Sequence, residues 1–363
     1  MNGQERMMAA MRRETPDRVP VWELIVDDAV IESLYGDISY HDFVEEEDLD
    51  GVTVFEDTRI DRWEDDTTCV DEWGITWGVE PTGLTYPAGH PIADEEGLAD
   101  WERPDPDDEG RLETLRQAVD RFKGEKAVVF LSHDAYEYLH YLRGMDQLLM
   151  DYVLNPDLVH RLARMVIDYK KRVVERAIEI GADIIVTGDD YAYRKGPMMS
   201  PDQFREFILP YLKEVVEVAH SRDVPFMKHT DGKLWPIMDD LVEAGIDCLD
   251  PLEPIAGMDI GRVKNEYGDR LAVAGNVDCG QLLCRGSREA VREAVKETIA
   301  KGSPGGGHIL ASSNSIHPAV DPENYRVMVE TAREFGDYPL DPDWVAEYRQ
   351  KDYMAAYRDT ETG

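Results

Sequence analysis

Short apolar, β-branched runs alternate with longer stretches of 3.6-residue periodicity along nearly the whole chain. The runs expected as strands are Val19–Ile25, Gly51–Phe55, Ala127–Leu131, Asp183–Thr187, Pro225–Lys228, Ile246–Leu249, Leu271–Ala274 and His308–Ala311. A helical stretch follows each, least clearly after the first. Three helices open alike, at Asn155-Pro156-Asp157, Ser200-Pro201-Asp202 and Asp321-Pro322-Glu323. In each, a side-chain oxygen can cap, proline suits the first helical position, and an acid suits the positive end of the dipole. The segment from Pro156 is the plainest helix. Leu158, Leu162, Met165, Val166, Tyr169, Val173 and Ala177 share one face, and Gly181 supplies the stop. Residues 62–105 break the rhythm and read as an inserted β-hairpin and loop. Eight βα units with right-handed crossovers predict an α/β fold, a (β/α)8 TIM barrel carrying that insertion after strand two. A doubly wound open sheet is the rival, but its Gly-x-Gly-x-x-Gly turn after the first strand is missing.

Composition narrows the partners. Barrels of about this length form one domain, so a single domain over all 363 residues is expected. The 76 acidic against 39 basic residues give a formal charge of −37, which repels nucleic acid and anionic membranes. Met1 to Arg13 lacks an apolar signal core, and no run approaches the ~18 apolar residues of a membrane span. A cytoplasmic location is therefore expected. Cys69, Cys248, Cys279 and Cys284 are scattered and suggest neither a disulfide framework nor a zinc ribbon.

A barrel builds its active site from the C-terminal strand ends and the loops that follow. That rule selects Glu23 after strand one, Asp57 after two, His133 after three, Asp189 and Asp190 after four, and His229 and Asp231 after five. It adds Glu253 after six, Asn276 and Asp278 after seven, and Asn314 after eight. The run His229-Thr230-Asp231-Gly232 is the sharpest of these, and Gly232 would admit a ligand or metal close to the backbone. With Glu253 from the neighbouring strand, His229 and Asp231 make a nitrogen–oxygen metal set. The same residues also suit acid–base work, substrate binding, or a purely structural histidine–aspartate bond. Asp189 and Asp190 can share a proton or hold a cation, or one of them orients the loop 191–199. His133-Asp134 reads equally as a catalytic pair or a hydrogen-bonded rim. Tyr141 and Tyr191 lie near that rim, where tyrosines either stack on a planar substrate or pack in the core.

These residues also carry a family likeness. Glu5-Arg6 through Pro16-Asp17-Arg18-Val19-Pro20-Val21-Trp22 resembles the entry of the uroporphyrinogen decarboxylase superfamily. So do Tyr141-Leu142-Arg143-Gly144, Ser200-Pro201-Asp202-Gln203-Phe204-Arg205-Glu206-Phe207 with Pro210-Tyr211, Gly275-Asn276-Val277-Asp278 and Pro322-Glu323-Asn324. The likeness covers nearly the whole chain and implies a (β/α)8 barrel of either the decarboxylase or the cobalamin-dependent methyltransferase branch. The decarboxylase branch carries an Arg-Gln-Ala-Gly-Arg run after strand one that binds substrate carboxylates. Here that stretch is Glu23-Leu24-Ile25-Val26-Asp27-Asp28, without a cation, and would repel an octacarboxylate. Asp57 and Tyr141 do match decarboxylase positions, while the family's histidine after strand eight is Asn314. Thiol-methylating members of the other branch bind zinc through His-x-Cys after strand five and a cysteine after strand eight. His229 matches, and Asp231 and Asn314 stand where the cysteines would be, giving a harder ligand set.

The resemblance thus implies a metal-assisted methyltransferase of O-demethylase type, moving a methyl group from a small methoxylated substrate to a corrinoid protein. His229, Asp231 and Glu253 would hold zinc. Asp189, Asp190, Asp57 and Tyr141 would serve catalysis, and Glu23, His133, Tyr191, Asn276, Asp278 and Asn314 would bind substrate. The alternatives are a decarboxylase or lyase of a smaller substrate acting through Asp57 and Tyr141, and a non-catalytic ligand-binding relative. No cobalamin-binding Asp-x-His-x-x-Gly run is present, so the corrinoid would arrive on a partner. Homodimerisation is left open.

Overall fold

Seven of the eight expected strands form one parallel sheet in the computed structural model, which describes residues 1–80 and 85–358. Numbered by their place in the barrel, strand two is Gly51–Phe55, three Ala127–Ser132, four Ile184–Thr187 and five Phe226–His229. Six is Cys248–Asp250, seven Ala272–Val277 and eight His308–Ser312. The expected first strand is not continuous, because Pro20 has no N–H to give a ladder. Its segment nevertheless fills the gap between strands eight and two. Trp22 N donates to Leu310 O at 3.1 Å, Leu310 N to Pro20 O at 2.9 Å, and Asp50 N to Val21 O at 2.9 Å. Isolated parallel bridges at Val21–Leu310 and Val26–Ile316 complete the closure. The architecture is the (β/α)8 barrel read from the sequence.

Side chains alternate strictly between two cores, as the two-residue period of a strand requires. Trp22, Leu24, Val129, Leu131, Ile184, Val186, Met227, Cys248, Ala274 and Ile309 fill the barrel. Val128, Phe130, Ile185, Phe226, Leu249, Val273 and Leu310 face the helices. This parity decides which strand-end residues reach the mouth.

Two of the three expected caps form: Ser200 accepts from Gln203 N in a capping box, and Asp321 accepts from Glu323 N. Asn155 does not cap Pro156–Ile180. Its amide donates to Asp151 Oδ1 at 2.7 Å instead, leaving the first turn to Pro156. The insertion is more than a hairpin. Ile60–Asp65, Thr68–Asp71, Thr76–Val79 and Thr85–Gly89 form a four-stranded antiparallel sheet. It docks through Trp73, fully buried with its ring 4.4 Å from Tyr138 and 4.6 Å from Tyr169. Beside it, Arg111 holds Glu72 at 2.7 and 2.9 Å. Among the described residues no helix is long and apolar enough to cross a membrane.

Candidate functional site

Strand five ends in Met227-Lys228-His229. Met227 faces into the barrel, so His229 does too, while Lys228 faces out. Strand six pairs with it in register, setting Asp250 opposite His229. Asp250 Oδ2 lies 2.5 Å from His229 Nδ1, which turns Nε2 towards Asp231 Oδ1 at 3.9 Å. The loop that follows strand four contributes Asp190, three residues past its end at Thr187. Asp190 Oδ1 accepts from Asp231 N at 3.0 Å. One ligand atom each from Asp190, His229 and Asp231 lies within 4.8 Å of the others.

The electrostatics of this trio suit a cation. Asp231 is half-buried; its Oδ2 accepts from Asn314 Nδ2, and its Oδ1, itself buried, has no hydrogen-bond partner among the described residues. Burial first, and then the charge of Asp190, raises the Asp231 carboxyl well above the usual range. Burial likewise raises Asp190, with His229 opposing. Burial works against the charged form of His229, but the bond and charge of Asp250, helped by Asp231 and Asp190, bring its pKa up to about 9. Mutually repelling acids around an unpartnered oxygen are what a bound divalent ion relieves. An imidazole whose second nitrogen is held by a carboxylate is the usual metal-ligand arrangement. The residues present therefore fit a metal.

Glu253 stands beside the trio rather than in it. Its Oε2 accepts from Gly232 N at 2.9 Å, and Asp190 rather than Glu253 offers the third ligand atom near His229 and Asp231. Gly232 itself has a different reason for being glycine than ligand access. Its φ is +82°, and a Cβ would lie 2.6 Å from Ala192 C and 2.7 Å from Tyr193 N. Gly232→Ala should therefore strain the loop and push away the hairpin at Ala192–Pro197. We expect about 1–3 kcal/mol of lost stability, measured by chemical denaturation.

The other expected site residues are engaged elsewhere. Asp189 turns away from the trio: its Oδ2 accepts from Asp134 N at 2.6 Å and its Oδ1 from Glu137 N at 2.8 Å. Burial opposes its charge, and Lys228 and His133 outweigh it, holding Asp189 below the usual carboxylate range. Tyr191 is wholly buried on the same side rather than lining the mouth, with its hydroxyl on Asp134 and Lys228 Nζ 4.2 Å above its ring. Asp57 is occupied as a helix-start brace, accepting from Thr114 N at 3.0 Å and Thr114 Oγ1 at 2.5 Å. Asn276 donates to Leu252 O at 3.0 Å, and Asp278 accepts from Gln281 N at 2.7 Å and Leu282 N at 2.8 Å, so both are spent on loops. Glu23 is buried against Ser312. His133 is half-buried, its ring 5.5 Å from that of Tyr138 and its Nδ1 3.8 Å from Asp189 Oδ2, without a hydrogen-bond partner for that nitrogen among the described residues. Tyr141 stands edge-on to Trp77 of the insertion at 5.0 Å.

Two participants have no assigned role from sequence. Asp250 orients His229, and its two-residue spacing from inward-facing Cys248 was the available signal. Lys228 is buried beside Asp134 at 3.1 Å and anchors the outer face of the same loop, with no signal beyond its place in an apolar strand. Over the ends of the first segment and strand two lies a cavity of about 500 Å³. Among the described residues its lining includes Asp28, His41, Glu56 and Asp57 but no lysine or arginine.

Comparison with known proteins agrees with this architecture. The family model described as Uroporphyrinogen decarboxylase (URO-D) matches residues 68–335. The uroporphyrinogen decarboxylase of Alkalilimnicola ehrlichii is 25% identical over 372 aligned positions, covering 91% of this chain and 93% of that one. That of Chloroherpeton thalassium is 30% identical over 188 positions, 50% of each chain. A solved methyltransferase from Methanosarcina mazei shares the fold, with a TM-score of 0.71 at 20% identity over 92% of this chain and 99% of its own.

Proposed function

The chain belongs to the uroporphyrinogen decarboxylase family, and within it we propose a cytoplasmic, metal-assisted methyltransferase that moves a methyl group from a small methoxylated substrate to a corrinoid protein. The observation that carries this reading is the trio Asp190, His229 and Asp231, with one buried carboxylate oxygen left without a partner among the described residues. These three would hold the metal, and one imidazole with two carboxylates suits zinc. When bound, the ion would supply Lewis acidity to the leaving oxygen of the methyl donor.

The chain's own groups do the rest. Asp250 fixes the ring orientation of His229, and Asn314 holds one oxygen of Asp231 so that the other faces the imidazole. Glu253 pins the turn at Gly232. The cation-free stretch Glu23–Asp28 after the first segment selects against a polyanionic porphyrinogen and for a neutral substrate. The corrinoid belongs to a separate protein in this reading, since the chain has no Asp-x-His-x-x-Gly run.

Decarboxylation is the second reading, favoured by the match to a uroporphyrinogen decarboxylase over 91% of the chain. It would use Tyr141 and Asp57, and the pairing of Asp57 with Thr114 counts against it. The test is direct. The purified protein should carry about one equivalent of zinc and methylate an added corrinoid protein from a methoxylated donor. Release of carbon dioxide without any corrinoid would retire our reading in favour of the second.

A further inference from the structure

The carboxyl of Glu23 is enclosed, with the residue only 1% exposed. Its Oε1 lies 3.0 Å from the Ser312 amide nitrogen, and its Oε2 lies 2.6 Å from Ser312 Oγ. The same hydroxyl is within hydrogen-bonding reach of the Asn314 carbonyl. A serine hydroxyl has one proton and cannot donate to both oxygens. The Asn314 carbonyl has none to give, so a proton on Glu23 would satisfy the second contact.

The surroundings agree. The groups facing Glu23 are Asp250 on strand six, Tyr40 on the helix Tyr40–Glu46, Tyr325 on the helix Pro322–Phe335, and Cys279 after strand seven. None is cationic. Burial pushes the Glu23 pKa up to about 8, against the opposing Ser312 bonds. Beyond Ser312 the chain of contacts continues: Asn314 Oδ1 accepts from Ser315 N at 2.5 Å, and Asn314 Nδ2 donates to Asp231.

We propose that Glu23 is held as a neutral carboxylic acid and is a positioning residue, fixing the exit of strand eight so that Asn314 meets Asp231. Glu23 Oε2–H donates to Ser312 Oγ, Ser312 O–H donates to the Asn314 carbonyl, and Ser312 N–H returns to Glu23 Oε1. Every proton has one acceptor. The positioning half rests on the metal reading of Asp231; the protonation half does not. Glutamine at this position has the same donor and acceptor pair, so Glu23→Gln preserves the pattern that Glu23→Ala removes.

Infrared difference spectra of the wild type against Glu23→Gln at pH 7 test the first half. A carboxylic-acid carbonyl band present in the wild type and absent in the variant is expected, and its absence from both overturns the protonation. Melting temperature against pH gives a second reading. A carboxyl raised from 4.5 to about 8 stabilises the fold fully below 4.5 and loses that contribution as pH climbs through about 8. The wild type should therefore lose more melting temperature between pH 6 and 9 than Glu23→Gln, and equal losses count against the proposal. Zinc titration tests the second half. Glu23→Ala and Ser312→Ala should bind zinc about tenfold more weakly, with Glu23→Gln close to the wild type. Unchanged affinity in folded alanine variants overturns the positioning role. A wild type that takes up no zinc overturns the metal reading and the positioning with it, while the infrared band still decides the protonation.

Discussion

Replacing His229 with alanine is expected to remove the bound metal and to lower methyl transfer by about 10²–10³-fold, the several kcal/mol a Lewis acid contributes to such a transition state. The substitution also strands Asp250, which is 2% exposed and has its Oδ2 on the lost ring. A buried carboxylate without its partner costs about 1–3 kcal/mol or more, so a fall in melting temperature accompanies the loss of metal. The two effects separate in the double variant His229→Ala/Asp250→Asn. Removing the stranded charge should restore part of the stability and none of the metal or activity. Asp250→Asn alone should keep the three candidate ligands and weaken metal binding by about 10–100-fold, as for other outer-sphere partners. Metal content by mass spectrometry, melting temperature and turnover, measured on all four proteins, check this. Full metal and full turnover in His229→Ala would eliminate the trio as the reaction centre.

The strands were legible because a period of two survives in strands buried on both faces as runs of Val, Ile and Ala, and seven of the eight lie where the runs lie. The same period places Asp250 inward, two residues on from Cys248. Asp189 and Asp190 lie past Thr187, the last residue of strand four, where the loop sets their directions. What the sequence cannot supply is which backbone amides a carboxylate will meet. Asp57 finds Thr114, Asp189 finds Asp134 and Glu137, and Asp278 finds the turn at Gln281, all set by loop conformation. Tyr191 looked like a rim aromatic because its partners, Asp134 and Lys228, lie 57 and 37 positions away. The insertion was under-read for a related reason. Its strand Ile60–Asp65 is exposed along its whole length, so no apolar alternation marks it.

Replacing Lys170 with methionine is expected to cost about 3–5 kcal/mol of stability, the usual penalty for breaking a buried ion pair by removing one partner. Lys170 is 1% exposed on the helix Pro156–Ile180. Its Nζ lies 3.0 Å from Glu56 Oε2 and 3.9 Å above the Tyr138 ring. Glu56 sits just past the end of strand two and also meets Arg111 at 3.1 Å and the Tyr169 hydroxyl. Burial works against the Glu56 charge, and Lys170 more than compensates with help from Tyr169 and Arg111, so its pKa lies below the usual glutamate value of 4.5. A depressed carboxyl stabilises the fold above that value and loses its contribution as pH falls through the depressed one. The Lys170→Met penalty should accordingly be full at pH 7 and shrink in acid. Glu56→Gln in the Lys170→Met background should cost less than the two single changes summed, because the second removes a charge already stranded. The network joins strand two to the insertion through Arg111 and Glu72, so its loss frees the sheet that places Trp77 against Tyr141. Asp190, His229 and Asp231 stand at or just past the ends of strands four and five, outside this network. Lys170→Met should therefore lower the melting temperature and raise KM for the methyl donor while metal content stays at the wild-type level, a separation that a general loosening of the barrel would not produce.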